Sequence, residues 1–243
     1  MKKNVLITGA AKRIGASCAR LLHDQGCNVV LNYRSSKQDV LALYKELNQN
    51  RSGSVTMIKA DLLKMDELIM LAKEAESAWG GLDVLINNAS AFYPQAMGEV
   101  TESDWDALLG SNLKAPFFLS QALASALTVQ KGCIINIIDI HAERGLKGYP
   151  VYSIAKAGLA AMTKFLAKEF GPDIRVNGIS PGAILWPENE LSEQDKAEIL
   201  QRVALKCTGG ADDIAKAVHF LIEDANYITG QIISVDGGRT LFC

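Results

Sequence analysis

Strand-like and helix-like segments alternate along the whole 243-residue chain, and no linker, repeat or low-complexity stretch interrupts them. Apolar runs predict strands, and apolar residues at helical spacing predict the helices between them. The predicted strands are 4–8, 28–33, 54–62, 82–90, 132–140, 174–182 and 231–238. The predicted helices are 14–25, 37–50, 65–79, 103–129, 150–170 and 211–223, with a kink expected at Pro116. Strands that are apolar on both faces need cover on both sides. The alternation therefore predicts a single doubly wound α/β domain, residues 1–243, with a mostly parallel sheet of about seven strands and helices on both faces.

The composition excludes several classes of protein. Lys and Arg number 25 against 27 Asp and Glu, which gives a formal net charge of −2. A chain so nearly neutral is not expected to bind nucleic acid or an anionic membrane as its main partner. No apolar run approaches the roughly 20 residues of a membrane span. Five cysteines without a CxxC pair indicate a reduced, cytoplasmic location, and three scattered histidines predict no metal site.

The segment after the first strand has the features of a phosphate-binding loop. Thr8 and Gly9 end the strand, and Gly15 lies in the first turn of the next helix, so that backbone N–H groups would face a pyrophosphate. Most loops of this kind carry a glycine between those two, but here Lys12 and Arg13 stand in that region. Arg13 would reach a cofactor phosphate or an electron-rich substrate ring; the alternative is a solvated surface cation.

The end of the second strand bears on which dinucleotide is bound. NAD-binding folds usually place Asp or Glu there, to accept a hydrogen bond from the ribose 2′-hydroxyl. This chain has Asn32, Tyr33, Arg34, Ser35 and Ser36 in succession and no acid. The Arg34 guanidinium and the neighbouring hydroxyls match a 2′-phosphate in charge and geometry. We therefore predict NADPH as the cofactor, with a solvated surface role for Arg34 as the alternative.

Polar residues also follow the third and fourth strands, at the sheet edge where doubly wound folds bind their ligands. Asp61, followed by Leu62, is predicted to bind the adenine amino group, and the alternative is a helix cap. Asn88, Ala89 and Ser90 are predicted to lie beside the nicotinamide half of the cofactor.

Tyr152 and Lys156 are four residues apart in the predicted helix 150–170, so they share one helix face. A lysine beside a phenol favours the phenolate and lowers the pKa of the phenol. This pairing predicts Tyr152 as a proton donor at neutral pH. Tyr149 offers no such pair, because its fourth successor is Ser153.

With these residues in view, the chain resembles the short-chain dehydrogenase/reductase family over nearly its whole length. The motifs that carry the resemblance are the Thr-Gly loop, NNA at 87–89, SN at 111–112, Tyr152 with Lys156, PG at 181–182 and VDGG at 235–238. The resemblance implies a Rossmann fold, a proton relay from Asn112 through Lys156 and water, and cofactor contacts at Pro181 and Gly182. It also implies a homotetramer paired through the helices 103–129 and 150–170.

Two departures from the usual family pattern resemble one subgroup, the pteridine reductases. The usual serine thirteen residues before the tyrosine is Asp139, and Arg13 takes the place of a glycine in a TGxxxRxG loop. NNASAFYP at 87–94 is similar to the NNASxFYP of that subgroup. The resemblance implies that Phe92 stacks on a pterin, Ser90 binds the pterin edge, and Arg13 bridges the pterin and a cofactor phosphate. A carboxyl at Asp139 can accept from an amino group and, when protonated, donate to a ring nitrogen.

The sequence thus predicts NADPH-dependent reduction of a dihydropterin to a tetrahydropterin, with dihydrobiopterin, dihydromonapterin and dihydrofolate left open. The alternative enzyme is a 3-oxoacyl or enoyl thioester reductase of the same fold. A non-catalytic NADP-sensing protein is the more remote alternative. The structural alternatives are Phe92 as a core side chain and Asp139 as a capping or salt-bridged carboxylate. Residues 183–210 are expected to form a substrate lid that carries Trp186 and Pro187.

The predicted site therefore has three overlapping sets of residues. The predicted catalytic residues are Asn112, Asp139, Tyr152 and Lys156. The predicted substrate-binding residues are Arg13, Ser90, Phe92, Asp139 and Tyr152. The predicted cofactor-binding residues are Gly9, Arg13, Ile14, Asn32, Tyr33, Arg34, Ser35, Ser36, Asp61, Leu62, Asn88, Ala89, Ser90, Tyr152, Lys156, Pro181 and Gly182.

Overall fold

The computed structural model describes residues 2–184 and 192–242. Within these ranges seven strands form one sheet in which neighbouring strands run parallel. The strands are β1 (Asn4–Ile7), β2 (Asn28–Tyr33), β3 (Val55–Lys59), β4 (Val84–Asn87), β5 (Cys133–Ile137), β6 (Arg175–Pro181) and β7 (Ile232–Val235). The expected doubly wound parallel sheet is confirmed.

Helices connect the strands and cover both faces of the sheet. They are α1 (Arg13–Asp24), α2 (Lys37–Asn50), α3 (Met65–Ser77), α4 (Glu102–Leu109), α5 (Ala115–Gln130), α6 (Pro150–Phe170), α7 (Glu193–Gln201) and α8 (Ala211–Glu223). A π turn, Gly110–Lys114, joins α4 to α5, and short 3₁₀ turns lie at Ile140–Ala142 and Arg239–Leu241.

The strand order β3-β2-β1-β4-β5-β6-β7 places the direction change between β1 and β4. The chain proceeds outward from β1 to β3 and then returns to the other side of β1, so the loops after β1 and β4 leave the sheet side by side. Doubly wound folds bind ligands at this point, beyond the carboxyl ends of the strands. The fold therefore brings the predicted phosphate loop and the residues after β4 to one edge.

Alternation along the strands divides the core into two layers. Val5 and Ile7 of β1 are fully buried beneath α1 and α8, whereas Leu6 between them is fully buried on the opposite face beneath α3, α5 and α6. Burying one such aliphatic side chain contributes about 1.5–3 kcal/mol relative to leaving it exposed. A one-residue slip of β1 would exchange the two faces, so the register of the strand that carries the phosphate loop is strongly fixed.

Two helix predictions differ from the structure. The predicted single helix 103–129 is wrong, because the π turn divides it into α4 and α5. Pro116 lies in the first turn of α5, where the missing N–H of proline costs little, and the irregularity precedes it. Helix α7 was not expected, because its short polar sequence has little apolar periodicity and the structure buries none of its side chains.

The predicted lid is described only in part. Residues 185–191, which include Trp186 and Pro187, lie outside the described residues. Ile184 and Gly209 form an isolated parallel bridge, so the segment leaves and rejoins the domain at neighbouring points. The role of 183–210 as a lid stays a prediction.

Within the described ranges, no helix is both long and apolar enough to cross a membrane. In the same part of the chain, no group of three or more His, Cys, Asp or Glu side chains is placed to hold a metal ion.

Candidate active site

The carboxyl end of β5 and the first turn of α6 bring Asp139 and Tyr152 together. The Tyr152 hydroxyl donates to Asp139 Oδ2 over 2.8 Å, and the backbone N–H of His141 donates to Asp139 Oδ1, also over 2.8 Å. Asp139 thus caps the 3₁₀ turn that begins at Ile140, which agrees with the alternative of Asp139 as a capping carboxylate. The same carboxylate also holds the phenol of the predicted proton donor, so one side chain both caps the turn and orients Tyr152.

Lys156 lies one helical turn beyond Tyr152 and is 3% exposed. Its ammonium donates to the backbone oxygen of Ile137 over 2.9 Å and lies 5.6 Å from the centroid of the Tyr152 ring. Burial lowers the pKa of Lys156 to about 8, because water no longer solvates the ammonium, and the nearby Asp139 carboxylate opposes this effect. Lys156 is therefore a cation that can lose its proton close to neutral pH.

The predicted direction of the Tyr152 pKa is wrong. Burial and the charge and hydrogen bond of Asp139 hold the pKa of the Tyr152 phenol well above its ordinary value. A phenolate would have to form out of contact with water and beside another anion, and both conditions favour the neutral phenol. Tyr152 is thus protonated at neutral pH, and its proton points at the Asp139 carboxylate.

Asn112 lies in the π turn and is 1% exposed. Its amide group donates to the carbonyl oxygens of Ala91 and Leu108, each over 3.0 Å, and its Oδ1 accepts from the Ser90 hydroxyl over 2.7 Å. The wide turn allows this side chain to bond the loop after β4 instead of extending a regular helix. Among the described residues no hydrogen bond joins Asn112 to Lys156, so the relay between them stays a prediction.

Phe92 stands at the mouth of this site. It is 49% exposed, so the alternative of a core side chain is wrong. One face stacks on Tyr149 with ring centroids 4.4 Å apart and planes 7° apart, and Tyr152 meets the ring edge-on at 4.8 Å. The stacking of Tyr149 was not expected from the sequence, although its position three residues before Tyr152 places it on the same side of the helix start.

The loop after β1 is fastened to the loop after β4 by side chains. The amide of Asn88 donates to the carbonyl oxygens of Thr8 and Gly9 over 2.8 and 3.0 Å, and the Thr8 hydroxyl accepts from the backbone N–H groups of Asn88 and Ala89. A Cβ on Gly15 would lie 2.5 Å from the Gly9 oxygen, so this position requires glycine. These bonds fix the shape of the loop that was predicted to hold the pyrophosphate.

Asn32 plays a similar role on the other side of the loop. It is 2% exposed, and its Oδ1 accepts from the backbone N–H of Gly9 over 3.3 Å. Its amide group lies 3.3–3.4 Å from the carbonyl oxygens of Ile58 and Ala60 at the end of β3. Asn32 therefore joins three strand ends, and a direct contact with a cofactor stays a prediction.

The N-terminus of α1 has no side-chain cap. Lys12 occupies the N-cap position without a capping hydrogen bond and pairs instead with Asp39 at 3.3 Å. The first N–H groups of a helix lack partners within the helix and attract anions. This arrangement fits a pyrophosphate, since the donors lie beside the tight turn at Gly9.

Arg13 is exposed and begins α1 with a φ of 52°, in the left-handed region that favours glycine. An L-residue pays about 1 kcal/mol to adopt this backbone conformation. The family pattern has a glycine here, so the arginine keeps the backbone of a glycine while adding a long cation. This strained backbone lies at the edge of the sheet where the phosphate loop is predicted.

The end of β2 offers a second group of donors. Arg34 and Ser35 are exposed, Tyr33 is buried, and Ser36 precedes α2 without capping it through its side chain. No carboxylate of the described residues pairs with Arg34. A guanidinium next to an uncapped helix N-terminus fits the charge of a 2′-phosphate.

The remaining predicted cofactor residues have local roles in the fold. Asp61 Oδ1 accepts from the backbone N–H of Leu63 over 3.1 Å. This turn contact resembles the helix cap that was the alternative to adenine binding. Leu62 and Ile14 pack partly buried against the two core layers. Pro181 pairs with Val235, and a Cβ on Gly182 would lie 2.5 Å from the Asp236 backbone. Cofactor contacts at these positions stay predictions.

Comparison with known proteins places this geometry in a family. A family profile described as Enoyl-(Acyl carrier protein) reductase matches residues 9–240. The chain belongs to the short-chain dehydrogenase/reductase family. The 3-oxoacyl-(acyl-carrier-protein) reductase FabG of Staphylococcus epidermidis is 38% identical over 242 residues, covering 98% of this chain and 99% of the relative.

Two further likenesses bear on this reductase. Pteridine reductase 1 of Leishmania tarentolae is 34% identical over an alignment of 281 residues, gaps included, and the match covers 97% of this chain and 96% of the relative. A blue fluorescent protein from a metagenomic library, solved in complex with NADPH, matches with a TM-score of 0.91 and 33% identity over 98% of this chain and 97% of its own. The 3-oxoacyl reductase is the more similar of the two named enzymes, so the likenesses establish an oxidoreductase of this family and leave its substrate undecided.

Proposed function

We propose that this reductase converts dihydropterins to tetrahydropterins with NADPH. The observation that carries the proposal is the 2.8 Å hydrogen bond between the Tyr152 hydroxyl and Asp139, at a position where the family pattern has a serine. Bound NADPH supplies a hydride to the ring carbon of the C=N bond in a 7,8-dihydropterin. The adjacent ring nitrogen needs one proton, and Tyr152 and Asp139 together hold a proton at that point.

The charge of Asp139 favours an imine over a ketone as substrate. Reduction of a 3-oxoacyl thioester places negative charge on an oxygen, and a neutral hydroxyl stabilises that oxygen by donating a hydrogen bond. A carboxylate 2.8 Å from the tyrosine hydroxyl would repel the same oxygen. A pterin instead presents an amino group and ring N–H groups, from which a carboxylate accepts.

The surroundings of Asp139 suit a flat aromatic substrate. Phe92 has one face on Tyr149 and is half exposed, so a planar ring can lie along this aromatic pair. Arg13 stands at the phosphate loop with the backbone of a glycine, where a guanidinium can stack on a ring or pair with a cofactor phosphate. Ser90, held by Asn112, has acceptor capacity left for a pterin amino group.

The cofactor is NADPH. The uncapped N-terminus of α1 and the tight turn at Gly9 would hold the pyrophosphate, and Arg34 with Ser35 would hold the 2′-phosphate. Lys156, anchored at 2.9 Å on Ile137, would hold the nicotinamide ribose.

A second candidate is reduction of 3-oxoacyl thioesters. The 38% identity to the Staphylococcus epidermidis enzyme favours it, against 34% to the pteridine reductase. Substrate residues vary freely on a common scaffold, so identity over the whole chain does not by itself assign the substrate. We therefore give more weight to the residues that would touch the substrate.

The test is a direct comparison of substrates. Steady-state kcat/KM with NADPH is measured for dihydrobiopterin, dihydrofolate and acetoacetyl-CoA, in the unmodified protein and in Asp139→Ser. The proposal expects turnover of a dihydropterin, and Asp139→Ser should lower it about tenfold, or about 1.4 kcal/mol of transition-state stabilisation. Efficient reduction of the thioester with none of the pterins would reject the proposal in favour of the second candidate.

We also propose that the chain forms a homotetramer through α5 and α6, as the family resemblance implies. A groove of about 530 Å³ between these helices is lined by apolar side chains, including Leu113, Phe117 and Met162. Phe165 beside it is 53% exposed. Large apolar side chains in one groove are typical of a surface that another chain covers. Light scattering after size-exclusion chromatography should give about four times the 26.2 kDa chain mass.

A further inference from the structure

Two asparagines occupy apolar positions beneath the candidate active site. In β5 the side chains of Ile134 and Ile138 lie in the core layer beneath α3, α5 and α6, and strand alternation places Asn136 between them on the same face. Asn87 is the neighbour of Asn136 in β4. Asn136 is fully buried, and Asn87 is 3% exposed. An amide in such a layer is costly unless its polar atoms are hydrogen-bonded, so each needs a partner from the protein.

The amide of Asn136 finds one of its partners on α6. Its Nδ2 donates to Thr163 Oγ1 over 2.9 Å, and its Oδ1 accepts from the amide of Asn87, also over 2.9 Å. Thr163 is fully buried, and its hydroxyl donates to the backbone oxygen of Leu159 over 2.8 Å. Bonds in series thus run from β4 through β5 to α6, and Asn136 is the member that links strand to helix.

The bond between Thr163 and Asn136 is one of three side-chain bonds from α6 to β5 and the residues just after it. In order along α6 they join Tyr152 to Asp139, Lys156 to the backbone oxygen of Ile137, and Thr163 to Asn136. The three members on α6 follow one another at intervals of four and seven residues, so they share one helix face. Their partners come in the reverse order, as they must when the helix runs back over the strand. Together the bonds fix how far along β5 the helix lies.

The first two of these bonds involve groups that the proposed reaction uses. Tyr152 has to turn its proton from Asp139 to the substrate, and Lys156 is proposed to hold the nicotinamide ribose. The third bond is buried in the core layer, and the reaction leaves it unchanged. The surrounding apolar packing has no preferred direction, whereas a hydrogen bond is directional. The bond between Thr163 and Asn136 can therefore hold α6 in place while Tyr152 transfers its proton.

Stability alone does not explain why this pair is polar. Replacing both partners of a buried hydrogen bond by apolar groups of the same shape is close to neutral for a fold. A fully bonded polar network in a core does more than an apolar one to select a single arrangement of the packed elements. The property that the polar pair adds is thus a defined position of the helix on the strand.

We infer that Asn136 and Thr163 are positioning residues whose hydrogen bond fixes the place of the Tyr152 hydroxyl against the substrate. The inference rests on Tyr152 as the proton donor. Pterin reduction and thioester reduction share that role, so the inference does not depend on which of them is correct. Misplacing a reacting group by about 1 Å can lower a rate about a hundredfold, so even a small shift of α6 would be measurable.

The experiment removes the bond and keeps the shape of the side chain. We expect Thr163→Val to lower kcat about tenfold, measured with NADPH and whichever of dihydrobiopterin and acetoacetyl-CoA the unmodified protein reduces. The solvent deuterium isotope effect on kcat should rise, because proton transfer from a misplaced Tyr152 becomes the slow step. A smaller folded fraction would lower kcat equally in H₂O and D₂O. The isotope effect therefore distinguishes positioning from a merely structural role.

Three further variants complete the test. Thr163→Ser retains the hydroxyl and should recover most of kcat. Asn136→Ser breaks the same bond from the strand with a shorter side chain and should reproduce both effects, even if Thr163→Val folds poorly. Ser120→Ala is the matched control. Ser120 is also fully buried and donates to the backbone oxygen of Pro116 over 2.7 Å, but it lies on α5, and its contact with Asn87 is 3.5 Å long. This control should leave kcat and the isotope effect unchanged.

The outcomes separate the inference from the proposed function. An isotope effect that stays unchanged in both Thr163→Val and Asn136→Ser would overturn the inference, and so would an equal loss of kcat in Ser120→Ala. The proposed function is decided independently, by which substrate the unmodified protein reduces.

Discussion

The two halves of the candidate site are built in different ways. At the edge proposed to hold the cofactor, here called the cofactor edge, the side chains of Thr8, Asn32 and Asn88 bond backbone groups of neighbouring loops, and glycines allow close packing. At the edge proposed to hold the substrate, here called the substrate edge, Asp139 and Tyr152 bond each other, and Phe92 is half exposed. The first half is a rigid part of the fold, and the second presents charges and rings that can change without altering the sheet.

Loss of the Tyr152 hydroxyl is expected to have the largest effect, because it removes the proposed proton donor of the substrate edge and leaves the cofactor edge intact. Tyr152→Phe should lower kcat for every substrate about a hundredfold or more, as removal of a positioned proton donor does. NADPH affinity, measured by fluorescence titration, should stay within about twofold, since the phenol ring and its packing remain. Near-normal turnover would remove Tyr152 from the mechanism.

A change of charge at Arg34 should act on the cofactor edge alone. Arg34→Asp replaces an attraction for the 2′-phosphate by a repulsion, so the NADPH:NADH ratio of kcat/KM should fall about thirtyfold or more. The same factor is expected for each substrate. Arg34→Gln, which removes the charge without reversing it, should give a smaller change. Equal efficiency with both cofactors in the unmodified protein would contradict the assignment.

Arg13 tests whether the two halves are truly separate, because it stands at the phosphate loop and is proposed to touch the pterin. Arg13→Gly should stabilise the protein by about 1 kcal/mol and raise Tm by about 2–4 °C, since the φ of 52° suits glycine. The same change should raise KM for dihydropterin about tenfold.

Lys131 provides the matched control for Arg13. It also has a left-handed backbone, with a φ of 48°, at the end of α5. Lys131→Gly should therefore raise Tm by a similar amount and leave KM unchanged. If both variants gain stability and neither alters KM, Arg13 has no part in substrate binding.

The smallest effect concerns pH. The alkaline limb of kcat/KM should begin near pH 8, where Lys156 loses its proton, because burial lowers its pKa to about 8. Asp139 raises the pKa of both Lys156 and Tyr152, so removing its charge lowers both. Asp139→Ser should thus move the alkaline limb to lower pH. A limb that moves to higher pH, or does not move, would show that Asp139 does not act on these groups.

Sequence patterns predicted the fold well because strand and helix signals are local. The apolar runs marked all seven strands, and the spacing of Tyr152 and Lys156 placed them on one helix face. The direction of the Tyr152 pKa was wrong because its partner, Asp139, is thirteen residues away and reaches it only in the folded chain. Helical spacing identifies residues that lie close together on one helix. It cannot identify a carboxylate that another part of the chain brings to that helix.

The same limit explains one omission. The π turn is also invisible to periodicity, because α4 and α5 continue one apolar helical stretch and Pro116 offered a simpler reason for an irregularity.

The π turn that contains Asn112 has a consequence for the direction of the helix that follows it. A turn of this kind contains one residue more than an α-helical turn, as if a single residue had been inserted into a continuous helix. The insertion rotates everything after it by about 100°. Accordingly α4 packs against α6, while α5 packs mainly against α3. The π turn thus places the Asn112 amide at the candidate active site and also sets the direction of the helix whose outer face lines the 530 Å³ groove, so the candidate site and the proposed subunit contact depend on one irregular turn.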